Sequence, residues 1–301
     1  MKNFKLYTSS VLSALLLAFF CISCANGEKK DKNSKKEVKE ETAQSALPYD
    51  LENPVKYNMP QNLFEISGIT FHNGDPKQVF AIQDEDGDLF YLGLNDKASK
   101  FTKFAGTGDY EDLAILKNQV IVLKSNGELH IFPLSGIDKP EVDNVVKVKD
   151  LVPKAEYEGL AADEKAGKVY ILTKASKADD KNKATSIYAF DFGADNSLKP
   201  AGEFSLSFDD LEKLSGEKKV KFKPSALAKN PATGEWYILS SVNKMLVITD
   251  ADFKIKATYS LKGGNFNQPE GIAFDKDSNL YISNEGGTLA SGDILQFKLK
   301  K

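Results

Sequence analysis

Two columns of polar residues recur along this 301-residue chain with the types and spacing that chemistry needs. The first is Ser67, Glu111, Glu158, Ser225 and Glu270; the second is Asp84, Lys124, Lys174, Ser241 and Glu285. Glu111 with Lys124, and Glu158 with Lys174, read as pairs that neutralise one another. Glu270, Glu285 and Asp84 have no such cation, so together they repel unless protonated, hydrated or bridged by a metal. A hard divalent ion with oxygen ligands suits such a set, Ca²⁺ above all. Glu111 and Glu158 would then stand nearby, and Glu65 could join either arrangement. The alternative is that these carboxylates cap strand N–H groups and channel water. The residues allow both.

The elements that must position them are copies of one unit. Its clearest copy runs from Gln268 to Gly287, QPEGIAFDKDSNLYISNEGG: a polar residue, a short apolar strand, an Asp/Asn turn and a second strand. The same cadence begins near Ile66, Tyr110, Tyr157 and Pro224, and the first-column residues are 44, 47, 67 and 45 positions apart. A repeat of about 40 to 50 residues that reads as strands marks a β-propeller, one four-stranded blade per repeat. Each first-column residue then opens an innermost strand, and each second-column residue ends the antiparallel strand beside it. Both columns reach one mouth of the central channel.

Five blades are expected in an all-β fold, with six as the alternative. The last repeat has only three recognisable strands, GIAFD, NLYIS and DILQFKLK, so the lone strand in Asn53 to Pro60 is expected to complete it and close the ring. The long 67-residue interval has two visible causes. One is a polar loop, SKADDKNKATS; the other is FDDLEKLSGEKKVKF, whose acidic start and following Gly predict a short helix.

With a net charge of −3, and with 41% hydrophobic and 28% charged residues, the chain reads as an ordinary globular protein without the basic balance that recruits nucleic acid. A monomer is expected, with a protein or small-molecule ligand that the sequence does not name. There is no Gly-x-Ser-x-Gly motif and no phosphate loop. His72 and His130 read as surface or structural residues, and Asp84-Glu85-Asp86-Gly87-Asp88 as a hairpin turn rather than a calcium loop.

The first residues lie outside this plan. Lys2 and Lys5 precede VLSALLLAFFCIS, an apolar run too short to span a membrane that reads as a secretory leader. It ends at Cys21-Ile22-Ser23-Cys24, which resembles a bacterial lipobox. That resemblance implies a signal peptide over residues 1–23, a lipid on Cys24 and a protein anchored to a membrane of the cell envelope. An ordinary cleaved signal peptide is the alternative. Residues 24–48 are expected to be a disordered stalk, because they are too polar to bury a core, and residues 49–301 the propeller. Both cysteines fall in or at the end of the leader, so no disulfide is expected in the propeller.

The openings YEDLA, YEGLA and QPEGIA, the variant EISGIT and the lipoprotein-type leader resemble the SdiA-regulated family of exported bacterial β-propellers. The resemblance covers roughly Val55 to Lys300 and implies the fold, export and calcium binding. Similar E-G strands occur in the gluconolactonase/regucalcin family, where a channel-mouth carboxylate is a metal ligand; Glu111, Glu158 or Glu270 would match it. Two functions follow as expectations: an anchored binding or scaffold module, or a divalent-metal hydrolase acting on a lactone or phosphoester.

Overall fold

The computed structural model describes residues 46–287 and 291–300. The leader, Cys24 and the stalk up to residue 45 lie outside the described residues.

Twenty strands form five antiparallel four-stranded sheets, each a meander built outward from the channel. Blade one contains β2 (Ile66–Phe71), β3 (Val79–Gln83), β4 (Asp88–Leu92) and β5 (Lys100–Lys103). Blade two contains β6 (Tyr110–Leu116), β7 (Gln119–Lys124), β8 (Leu129–Pro133) and β9 (Val146–Val148). In blade three, β10 (Glu156–Asp163), β11 (Lys168–Ala175), β12 (Ala184–Phe192) and β13 (Leu198–Ser207) are the longest strands. Blade four contains β14 (Ala226–Lys229), β15 (Trp236–Ser240), β16 (Met245–Thr249) and β17 (Ile255–Ser260). Blade five runs β18 (Pro269–Phe274), β19 (Leu280–Asn284) and β20 (Asp293–Phe297), and its fourth strand is β1 (Val55–Asn58). Val55 pairs with Gln296 and Asn58 with Asp293, so the start of the fold closes the ring as expected.

The ring holds because no blade can cover its own two faces. Five apolar clusters fill the seams, and each draws on two successive blades, including the seam between blades five and one. In the seam of blades three and four, Trp236 stacks on Phe253 at 5.0 Å and meets Tyr170 edge-on at 4.5 Å. Burying each such side chain contributes about 1.5 to 3 kcal/mol. At the axis the innermost strands come so close that glycine is required. A Cβ on Gly271 would lie 2.5 Å from the Ser67 carbonyl oxygen, and one on Gly68 would lie 2.7 Å from the Asp112 Cα. The E-G openings are therefore a packing requirement of a narrow channel.

The long interval in blade three carries two helices. The polar loop holds one, α1 (Lys177–Asn182), capped by Ser176 and tied back by Asp179, which accepts the Ser186 N–H and hydroxyl. The predicted helix is α2 (Phe208–Ser215), started by Ser207 and stopped by Gly216 at a left-handed φ of 73°. Its Phe208 and Leu211 join the core, so the segment covers the outside of a seam rather than forming a sixth blade.

Candidate functional site

A local backbone device aims the first column at the channel mouth. In blades two, three and five the ladder shifts register between Tyr110 and Asp112, Tyr157 and Gly159, and Pro269 and Gly271. The extra residue of each bulge is Glu111, Glu158 or Glu270. Blade one shifts between Ile66 and Ile69, which frees Ser67. A bulge leaves its residue unpaired and turns the side chain out of the sheet. The serines link neighbouring blades: Ser67 Oγ donates to the Glu111 carbonyl at 2.5 Å, and Ser225 Oγ to the Pro269 carbonyl at 3.0 Å.

The structure brings Glu111, Glu158, Glu270, Glu285 and Asp84 to this mouth and corrects the second column at one place. Tyr110 pairs with Lys124 just as Tyr157 pairs with Thr173. The residue equivalent to Lys174 is thus Ser125, and Lys124 is one position early. A one-residue slip sends a strand side chain to the opposite face. The Lys124 amine accordingly lies over the Tyr110 ring, 5.4 Å from its centre. Glu111 has no lysine from its own blade. It hydrogen-bonds Asp109 instead, and Asp109 also accepts from the Ser125 hydroxyl.

Asp109 belongs to a third column that the repeat alignment missed. Residues two before the first column are Glu65, Asp109, Glu156, Lys223 and Gln268. Strand side chains alternate with period two, so stepping back two positions from each opening glutamate was the available signal. Gln268 donates its amide to Glu285, and its carbonyl accepts the Glu285 N–H at 2.9 Å. A cavity of 370 Å³ opens where blades two and three meet, lined by Asp109, Glu111, Ser125, Glu156, Tyr157, Glu158 and Lys174.

Six carboxylates thus lie around Lys174, namely Asp109, Glu111, Glu156, Glu158, Glu270 and Glu285, and Asp84 and Glu65 act on Glu285. Lys174 forms an ion pair with Glu158 and also lowers the proton affinity of Glu111, Glu270 and Glu285. Lys174, with Lys244 acting on Glu270, does not offset so many acids. Burial, then Asp109, pushes Glu111 up to about 8, and Glu270 adds to the effect. Burial, then Glu270, Asp84 and Glu65, pushes Glu285 up to about 7. Burial raises Glu270 as well, although Ser241, Lys174, Gln268 and Lys244 oppose it. Asp84 is raised by burial and by Glu85 and Asp109 against opposing backbone hydrogen bonds, and its Oδ1 is buried without a partner.

This arrangement is not a ready calcium cage. Calcium takes about six to eight oxygens around one point. Among the described residues no group of three or more His, Cys, Asp or Glu side chains is disposed to hold a metal ion. Glu158 is held by Lys174 and Glu285 by Gln268, while Asp109 crowds Glu111. Two of the three carboxylates read as lacking a cation also feel one: Lys174 acts on both Glu270 and Glu285.

The remaining candidates are structural. His130 is buried between the Phe104 and Tyr110 rings, and its Nε2 meets Glu128 at 2.8 Å. His72 Nε2 lies 2.8 Å from the Asn118 side chain in a turn at the other end of the channel. The run from Asp84 to Asp88 is the β3–β4 turn, as expected. A residue that the column reading passed over is Asp112, which stands where blades one, three and five have glycine. Its buried carboxylate accepts the Leu113 and Leu160 N–H groups, both at 2.8 Å, and ties blade two to blade three. Burial holds its pKa well above the ordinary value.

The chain belongs to the SdiA-regulated family, whose model matches residues 49–288. No curated protein matches it. Among solved structures, it is similar to the glutaminyl cyclase of Myxococcus xanthus, with 15% identity and a TM-score of 0.56 over 81% of this chain and 94% of that one. The PQQ-bound aldose sugar dehydrogenase of Streptomyces coelicolor aligns with 12% identity and a TM-score of 0.51, over 82% and 98%. A calcium-binding protein of Agrobacterium tumefaciens, regucalcin, aligns with 13% identity and a TM-score of 0.48, over 83% and 94%. At these identities the likeness is one of fold.

Proposed function

We propose that this protein is a binding module of the bacterial cell envelope, exported and anchored through a lipid on Cys24, whose acidic channel mouth takes up a cationic ligand. The observation that carries the reading is the surplus of carboxylates around Lys174, with protons held on Glu111 and Glu285 near neutral pH. A cation entering such a site takes over from those protons the neutralisation of the crowded carboxylates, so its binding releases protons.

The first described residues are fixed at the end of the channel away from Glu270 and Glu285. Tyr49 is buried beside the β18–β19 turn, where its hydroxyl donates to the Ser278 carbonyl at 2.7 Å, and the Pro48 carbonyl accepts the Lys300 N–H at 2.9 Å.

Calcium and an organic diamine such as putrescine are the test cations. To bind, either must displace Lys174 or the protons of Glu111 and Glu285. Calorimetry at pH 7 in buffers of different ionisation enthalpy reads the protons released. A cation at a hundredfold excess over Kd should stabilise the fold by about 2.7 kcal/mol, and Glu285→Gln should reduce both readouts. Unchanged melting with millimolar calcium and with putrescine would remove the reading. The anchor is tested separately: Cys24→Ser should move the protein from the membrane fraction to the soluble one.

A further inference from the structure

The end of the channel away from the acidic mouth holds a cavity of 790 Å³, within the size range of small-molecule sites. Its inner end is closed by one aliphatic residue from each innermost strand: Ile69, Leu113, Leu160, Leu227 and Ile272. Phe71, Ile115, Ala162 and Phe274 line the wall further out. The rim consists of the turns that join each first strand to the second.

The acids of that rim are already engaged. Asp275 accepts the Asp277 and Asn279 N–H groups at 3.0 and 2.8 Å and the Tyr281 hydroxyl at 3.1 Å. Asp163 accepts the Lys229 amine at 2.5 Å and the Ala166 N–H at 3.0 Å. Glu164 accepts the Lys117 N–H at 3.1 Å. Lys165 and Lys276 rise from the same turns, exposed at the opening. Over the lining, Asp163, Glu164 and Asp275 stand against Lys117, Lys165, Lys229 and Lys276, so the rim carries one cation in excess above an apolar floor.

We propose that this funnel binds a small amphiphilic carboxylate, with its hydrocarbon chain on the aliphatic floor and its head between Lys165 and Lys276. An ammonium head would meet like charge at the rim, and a neutral one would leave the lysines without a counter-charge. The inference is independent of the acidic mouth, because the aliphatic collar separates the two ends.

The protein carries its own reporter. Trp236 is its single tryptophan, and the Lys229 amine lies 5.2 Å from the ring centre. Sodium octanoate is titrated into the full-length protein, followed by Trp236 emission and by calorimetry, with octylammonium and octanol as comparators. Octanoate should bind saturably and at least about tenfold more tightly than octylammonium, the scale of one charge-assisted hydrogen bond. The double variant Lys165→Gln, Lys276→Gln, at exposed positions that folding does not need, should weaken octanoate by about tenfold. Glu285→Gln, at the other mouth, should leave it unchanged. Ala162→Leu should weaken it by filling the funnel, and the lysine double variant decides if that protein fails to fold. No saturable heat with octanoate, octylammonium binding as tightly, or an unaltered affinity in the lysine double variant would each overturn the proposal.

Discussion

The two ends of the channel are built from the same five strands, yet they treat a carboxylate in opposite ways. At the mouth where the innermost strands begin, Glu111 and Glu285 are pushed up to about 8 and about 7. At the end where those strands finish, Asp163 is held below its ordinary value. Burial acts to raise it, but the Lys229 ammonium and the Ala166 and Lys165 N–H groups outweigh burial. A lysine and the backbone together account for the difference. Bulges at the strand starts leave glutamates without a ladder partner and turn them toward one another, whereas tight turns at the strand ends supply N–H donors that engage each aspartate. Burial alone does not set the sign; Lys229 and the turn N–H groups do at Asp163, and the crowded acids add to it at Glu111 and Glu285.

The sharpest test of this contrast exchanges the two lysines for apolar residues. Lys174→Met removes the cation shared by Glu158, Glu111, Glu270 and Glu285, and it should cost about 2 to 4 kcal/mol at pH 8 by denaturant unfolding. The loss should shrink below pH 5, where the acids are protonated. Lys229→Met leaves Asp163 its backbone donors and should cost about 1 to 2 kcal/mol. Equal costs for the two variants would show that Lys174 is not the centre of the acidic mouth.

A second comparison reads the sign of the pH dependence. A carboxyl with a raised folded pKa contributes stability that is complete below its unfolded value and lost as pH rises through the folded one. Glu111→Gln should therefore stabilise the protein by about 2 kcal/mol at pH 9 and flatten its melting profile across the window from about 4.5 to about 8. Asp163→Asn should do the reverse. Its carboxylate contributes above the unfolded value, so the variant should lose about 1 kcal/mol at pH 7 and nothing once acid has protonated the wild type. If the two profiles bend the same way, the contrast between the mouths is wrong.

The smallest effect belongs to the tether. Tyr49→Phe keeps the ring against Tyr237 and Phe274 but removes the hydroxyl that donates to Ser278 and accepts from Asn230. About 1 kcal/mol should be lost, with hydrogen exchange accelerated at the β18–β19 turn and not at Glu111. Protection lost evenly over both mouths would mean that Tyr49 does not anchor that end.

Much of the architecture was legible because its signals are local. Strand, turn and strand recur with alternating apolar residues, and a terminal repeat short of one strand demands a partner, which β1 supplies. The first column was legible for the same reason: each opening residue precedes an apolar strand. The second column was legible except at Lys124, where QVIVLK is apolar throughout its centre and carries no alternation to mark its register.

The chain by itself determined the blades, the closing strand and the collection of glutamates at one mouth, and the structure decided for five blades over six. Only the tertiary structure decided which charges meet. Three bulges rotate Glu111, Glu158 and Glu270 out of their sheets, one residue of register replaces Lys124 with Ser125, and the period of two adds Asp109 beside Glu111. A propeller's topology survives such shifts because its seams need only apolar surface of about the right size. A site does not, because a side chain displaced by one position points to the opposite face of the strand.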